Sequence, residues 1–124
     1  MFQTLIQVAL GGAIGASLRY LTNVGTMRWI GPGFPYATVI VNVTGSFLMG
    51  VLVVVLSRKG GTGYSPFLMT GVLGGFTTFS AFSLDTLTLW ERGQHGLAVT
   101  YVGVSVILSL AAIVAGLAVA RALA

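Results

Sequence analysis

The sequence predicts an all-α integral membrane protein with four transmembrane helices, the third of them broken, assembled as an antiparallel dual-topology homodimer. Three observations lead there. The first is composition: hydrophobic residues make up 56% of the 124 residues and charged ones only 6%, with a mean hydropathy of +0.98. A soluble domain carries about a quarter charged residues, so this chain cannot cover its surface against water. The second is the run Gly74-Gly75-Phe76-Thr77-Thr78-Phe79-Ser80-Ala81-Phe82-Ser83, which sets paired glycines, hydroxyls and aromatic rings inside an apolar segment. In hydrocarbon, backbone that leaves the helical path must be buried in protein or line a wet cavity. The third is an even spread of basic residues over the two membrane faces.

The length gives room for about four spans and short loops as one transmembrane domain, residues 1–124. Four helices are too few to enclose a sizeable pathway, so an oligomer is expected. The first helix is expected from about Phe2 to Tyr20. No basic segment precedes it and glycines interrupt it, which argues against a cleaved signal peptide. Gly11 and Gly15 form a small-xxx-small pair suited to close helix packing. Arg19 falls at the expected far end, placed to snorkel or to meet a structural partner. The loop Gly31-Pro32-Gly33 with Pro35 follows, flanked by Trp29 and Tyr36 as interfacial anchors.

The second helix is expected from about Tyr36 to Leu56, the third from about Pro66 to Trp90. The fourth follows Glu91-Arg92-Gly93-Gln94-His95-Gly96 and continues to about Arg121. With four spans, Arg58, Lys59 and Arg121 lie on one side, and Arg19, Arg28 and Arg92 on the other. That balance gives the positive-inside rule almost nothing to act on. A chain without orientation bias inserts both ways, and an antiparallel homodimer becomes geometrically natural; a small bias from arginine position, fixing one topology, is the competing reading.

Helical spacing groups the polar residues. Thr38, Asn42 and Ser46 share one face of the second helix at i, i+4 and i+8. Tyr101, Ser105 and Ser109 repeat that spacing in the fourth. Phe79 and Phe82 lie one turn apart in the third, with Ser80 and Ser83 beside them. A lone serine in a membrane helix usually packs or bonds back to its own carbonyl. Three stripes on three helices point instead to a lined pathway. Asn42 is the costliest in hydrocarbon and needs a partner or a cavity; an interhelical bond at a dimer interface is the competing role.

Such a lining offers hydroxyl and amide donors, and phenylalanine edges carry partial positive charge. Carboxylates that would favour cations are nearly absent from the spans, Asp85 being the one candidate. The chemistry favours a small, strongly hydrated anion over a cation. The net charge of +4 comes from six scattered basic residues, and no basic cluster forms a nucleic-acid footprint. With no cysteine there is no disulfide framework or thiolate metal site.

In combination these motifs resemble the Fluc/CrcB fluoride channels: Gly-Gly-Phe-Thr-Thr-Phe-Ser-x-Phe-Ser in the third helix, Val41-Asn42-Val43-Thr44-Gly45-Ser46-Phe47 in the second, and the early Gly-Gly-x-x-Gly-Ala-x-x-Arg-Tyr ending at Arg19-Tyr20. The resemblance runs from Gly11 to the fourth helix. Asp85 stands where the family often has Glu. The resemblance implies a dual-topology homodimer in the cell's inner (plasma) membrane with two fluoride pathways, each built from both subunits. It implies a structural sodium ion held by backbone carbonyls at the break in the third helix, here Gly74 and Thr77. Phe79 and Phe82 map to the aromatic box, Asn42 to the polar residue near the pore entrance. Thr78, Ser80, Tyr101, Ser105 and Ser109 map to a hydroxyl track with Asp85 toward one end, and Arg19 to a structural or vestibule position. The implied role is passive export of fluoride trapped in the cytoplasm. A narrow, donor-lined path can replace fluoride's tight hydration while fitting chloride poorly.

Two rivals are weaker. A proton-coupled small multidrug transporter needs a membrane-embedded carboxylate, and the first helix has none. A non-transporting assembly subunit would make every stripe a packing feature. An enzyme is not expected. His95 lies in a glycine-flanked loop, Asp85 and Glu91 do not share a helical face, and no nucleophile elbow or phosphate loop is present.

Overall fold

In a computed structural model describing residues 1–123, four helical stretches are long and apolar enough to cross a membrane. The chain is a multi-pass membrane protein. Its many exposed Leu, Ile, Val and Phe side chains are what a lipid-facing surface requires, because hydrocarbon takes the place of a hydrophobic core as solvent.

Helix α1 spans Phe2–Trp29 and runs well past the expected stop at Tyr20. No proline intervenes, and the threonine hydroxyls of the extension are satisfied on their own helix. The Thr22 hydroxyl donates to the Leu18 carbonyl at 2.9 Å and that of Thr26 to the Asn23 carbonyl at 3.1 Å. The chain then turns at Gly31 and Gly33, whose φ angles of +94° and +122° belong to the left-handed region that glycine tolerates. Helix α2 covers Tyr36–Arg58.

The third span, Thr62–Glu91, is the irregular one. A 3₁₀ turn at Thr62–Tyr64 leads into a π-helical stretch, Pro66–Leu73, then a single α-turn, α3, at Gly74–Phe76. Thr77 adopts extended backbone (φ −85°, ψ 160°), so the span bends there before α4 resumes at Ser80–Glu91. π-Turns and kinks of this kind gather at functional positions. After a turn at Gly93, with Trp90 and His95 stacked at 3.9 Å, α5 spans His95–Leu123.

Two glycine crossings hold the spans together. In the first, α1 lies against the third span so closely that a Cβ at Gly11 would strike the Phe67 carbonyl and one at Gly15 the Val72 carbonyl. The packing role expected of these two glycines is what they perform. In the second, α2 crosses α5, where a Cβ at Gly50 would strike the Ile113 carbonyl and one at Gly116 the Phe47 carbonyl. With no hydrophobic force between helices in lipid, close backbone approach is a main source of attraction. A small buried cluster, Leu89, Ala98 and Tyr101 with Phe34, Val39 and Phe82 against it, joins α4 to α5. Its rings continue as a chain: Phe34 to Tyr101 at 5.5 Å, Tyr101 to Phe82 at 5.3 Å, Phe82 to Phe79 at 5.5 Å.

The longer α1 changes the charge balance. Arg58 donates to the Arg121 carbonyl at 3.2 Å, so the ends of α2 and α5 share a side as counted. Arg19 is not at a helix end but level with the bend of the third span, where its Nε donates to the Gly75 carbonyl at 3.0 Å. The helix ends therefore carry Arg58, Lys59 and Arg121 on one side and Arg28 and Arg92 on the other.

Candidate functional site

The bend is held by side chains that substitute for helical hydrogen bonds. A regular helix would pair the Thr78 N–H with the Gly74 carbonyl, four residues back. Here the Thr78 N–H donates to Asn42 Oδ1 at 2.8 Å, and Asn42 Nδ2 donates to the Thr78 carbonyl at 2.9 Å. One amide side chain thus brackets one backbone residue from both sides, as a neighbouring strand would. The Thr78 hydroxyl accepts from the Ala81 N–H at 3.1 Å and lies 3.3 Å from the Ser80 hydroxyl. It caps the start of α4, satisfying a donor that the bend would otherwise orphan.

A cavity of about 370 Å³ opens beside this bend. Asn42 and Ser46 of α2, Thr77, Thr78, Phe79 and Phe82 of the third span, and Ser105 and Ser109 of α5 line it. Gly45, Met49, Val106, Leu110 and Ile113 complete its wall. Phe79 stands 77% exposed, its ring tilted 56° to that of Phe82. Ser105 is buried, and its hydroxyl has no hydrogen-bond partner among the described residues. An unpartnered hydroxyl in an apolar surround is costly, about 1–3 kcal/mol, unless something enters the cavity to accept from it.

A second cavity of about 220 Å³ lies on the other side of Thr78, which lines both. Arg19, Tyr20 and Asn23 of α1 meet Ala37, Thr38, Val41, Ala81 and Asp85 there. The Asp85 carboxylate accepts from the Thr38 hydroxyl at 2.7 Å and from the Tyr101 hydroxyl at 2.9 Å, both on Oδ2. Its charge is therefore held by two hydroxyls rather than by a cation.

Of the residues singled out in the sequence, Asn42, Thr78, Phe79, Phe82, Ser105 and Ser109 are brought to one cavity. Arg19 and Asp85 are brought to the other. Tyr101 lines neither; it is fully buried behind Phe82 and serves Asp85. Ser80 is exposed beside Thr78, and Ser83 simply bonds back to the Phe79 carbonyl at 3.0 Å. Sequence reasoning missed the two hydrogen bonds between Asn42 and the Thr78 backbone and the single one from Arg19 to the Gly75 carbonyl. It also missed the apolar wall of Met49, Leu110 and Ile113. Those apolar residues carry no signal that distinguishes a cavity wall from a lipid-facing surface.

The carbonyls of Gly74 and Thr77 fit a hard alkali cation such as sodium. Their helical donors, the Thr78 and Ala81 N–H groups, are committed to Asn42 and to the Thr78 hydroxyl. Two bare, neutral oxygens suit a monovalent ion of that kind. Among the described residues no group of three His, Cys, Asp or Glu could hold a transition metal.

Residues 6–117 match the family model described as CrcB-like protein, Camphor Resistance (CrcB). The chain is 71% identical over 121 residues to a protein of Cereibacter sphaeroides named fluoride-specific ion channel FluC, covering 98% of this chain and 97% of the relative. Proteins with the same name from Ruegeria sp. and Paracoccus denitrificans are 58% and 55% identical, over 98% and 99% of this chain and 97% and 98% of their own lengths. These relatives are named as ion channels, which conduct rather than catalyse a reaction.

Proposed function

The chain belongs to the CrcB-like family, and from that premise we propose that it is a fluoride-selective channel. It exports cytoplasmic fluoride passively across the inner (plasma) membrane as an antiparallel homodimer with two pathways. The identity of the ion is taken from the relatives, named as fluoride-specific channels. The structural observation that carries the proposal is the buried, unpartnered Ser105 hydroxyl in the cavity of Phe79 and Phe82.

The chemistry follows from what each side chain has to offer. Ser105 and Ser109 lie one turn apart on α5 and present donors to an anion that has shed its water. The free N–H of the Asn42 amide, left over after its bond to the Thr78 carbonyl, is a third donor on the same wall. The edges of Phe79 and Phe82 add positive quadrupole. Fluoride, small and strongly hydrated, gains most from closely spaced donors, whereas chloride fits them poorly. Thr78 is the wall between this cavity and the one holding Arg19, whose guanidinium attracts anions toward the bend, while the Thr38 and Tyr101 hydroxyls hold the Asp85 charge. Ser80 extends the donor track at the exposed side of Thr78.

A second copy closes the cavity. On a single chain Phe79 stands largely exposed at the edge of a cavity that also carries Asn42, Ser46, Ser105 and Ser109; polar side chains are costly against hydrocarbon and need protein or water over them. The near balance of charge at the two sets of helix ends supports an antiparallel pairing. A sodium ion would be held by the Gly74 and Thr77 carbonyls, supplying positive charge that pins the bend.

The test is anion efflux from proteoliposomes loaded with fluoride or chloride, followed by ion-selective electrodes after a potassium ionophore is added. Rapid fluoride release with chloride retained is expected. Retention of both ions by a folded dimer in sodium buffer would sink the proposal.

A further inference from the structure

We propose that Asn42 and the Thr78 hydroxyl are positioning residues for the cation site at the bend: by taking the N–H groups of Thr78 and Ala81, they strip the Gly74 and Thr77 carbonyls of their helical donors and keep them open for sodium. The inference rests on the sodium ion proposed above, and it assigns to Asn42 work beyond the anion pathway.

Backbone carbonyls in a membrane interior almost always find a donor, and in a helix that donor lies four residues ahead. For Gly74 it is the Thr78 N–H, which Asn42 Oδ1 takes at 2.8 Å. For Thr77 it is the Ala81 N–H, which the Thr78 hydroxyl takes at 3.1 Å. In both cases the diverted donor is satisfied, so what remains is bare acceptor alone, the arrangement a cation needs. The carbonyl of Gly75 between them is treated oppositely: Arg19 Nε donates to it at 3.0 Å. Two carbonyls are opened and one of the two between them is closed.

Asn42 is suited to this because its amide both accepts from and donates to the Thr78 backbone. Released from that grip, Thr78 is free to fall back into the helical register and pair with Gly74. A hydroxyl at 78 is likewise needed, because without it the Ala81 N–H is left to return to Thr77.

The thermal unfolding midpoint of the purified dimer, titrated with sodium chloride against N-methyl-D-glucamine chloride at constant ionic strength, tests this directly. An ion that binds the folded state alone raises the midpoint saturably. The wild type is expected to show that rise. Asn42→Ala and Thr78→Val should each move the half-saturating sodium concentration up by about tenfold or more, the effect of a single well-placed interaction. Ser105→Ala, which touches the anion path alone, should titrate as the wild type does. The two variants return donors to different carbonyls, so either one that folds as a dimer decides the matter. Folded variants titrating at the wild-type concentration, or a wild type indifferent to sodium, would overturn the proposal even if fluoride efflux is fast. A sodium response lost in both variants of a chain that conducts no fluoride would uphold the cation site and defeat the channel.

Discussion

The cavity walled by Phe79 and Phe82 and the cavity walled by Arg19 and Asp85 share Thr78 and little else. In the polar cavity the acceptors are settled: the Asp85 carboxylate takes the Thr38 and Tyr101 hydroxyls, and the Gly75 carbonyl takes one N–H of Arg19. The apolar cavity is unsettled, with a buried serine hydroxyl lacking any partner among the described residues. Polarity is thus a poor guide to where a ligand belongs. A group already satisfied gains little from a visitor, whereas an orphaned donor gains the bond it lacks. By this contrast, the apolar cavity is the one with an unmet donor to offer an anion, and the polar one supports the bend.

The comparison can be broken most forcefully by filling the apolar cavity. Ser109→Trp puts an indole across it and should lower fluoride efflux by at least roughly a hundredfold, a barrier of two factors of ten, with dimer elution unchanged on gel filtration. Efflux that survives the indole would show that ions travel elsewhere.

A smaller effect with a sharper sign comes from Ser105→Ala. Removing an unpartnered buried hydroxyl should raise stability by about 1 kcal/mol while lowering fluoride efflux by about tenfold, the loss of one donor. Thermal unfolding and the efflux assay on the same preparation read both. A fall in stability would mean the hydroxyl has a partner, and the contrast between cavities would collapse.

A third effect, read in stability alone, has the opposite sign. Tyr101→Phe leaves Asp85 with one donor in place of two and should destabilise the protein by about 1.5–3 kcal/mol, the range for hydrogen bonds to charged groups. Double mutation with Thr38→Val should be non-additive, because both hydroxyls serve the same carboxylate oxygen. Unfolding midpoints of the two singles and the double provide the cycle, and simple additivity would argue against a shared acceptor.

Much of the fold could be read from the chain because membrane insertion is governed by local composition. Four apolar stretches, the glycine pair Gly74-Gly75 and the stripes at i and i+4 are all short-range patterns. The stripes did converge: Asn42 and Ser46, Phe79 and Phe82, Ser105 and Ser109 line one cavity. What escaped involves distance along the chain. Arg19 sits 56 residues from its acceptor Gly75, and Asn42 36 residues from Thr78. No periodicity announces such pairs. The first helix was expected to stop at Tyr20 but runs to Trp29, with the Thr22 and Thr26 hydroxyls bonded to its own carbonyls. Tyr101 kept its predicted face, but burial turned it toward Asp85 instead of the cavity.

By itself, then, the sequence determined a four-span membrane protein, the position of its irregular segment and the faces that carry hydroxyls. Hydropathy, glycine and helical spacing act over a few residues, and no distant contact is needed to state them. Tertiary structure alone decided which polar groups are satisfied and which are left wanting: Asn42 bound to the Thr78 backbone, Arg19 to Gly75, Asp85 to two hydroxyls, and Ser105 to nothing. Satisfaction is a property of pairs. Which donor meets which acceptor is set only when helices remote in sequence cross at close range, as the glycines of α1, α2 and α5 allow.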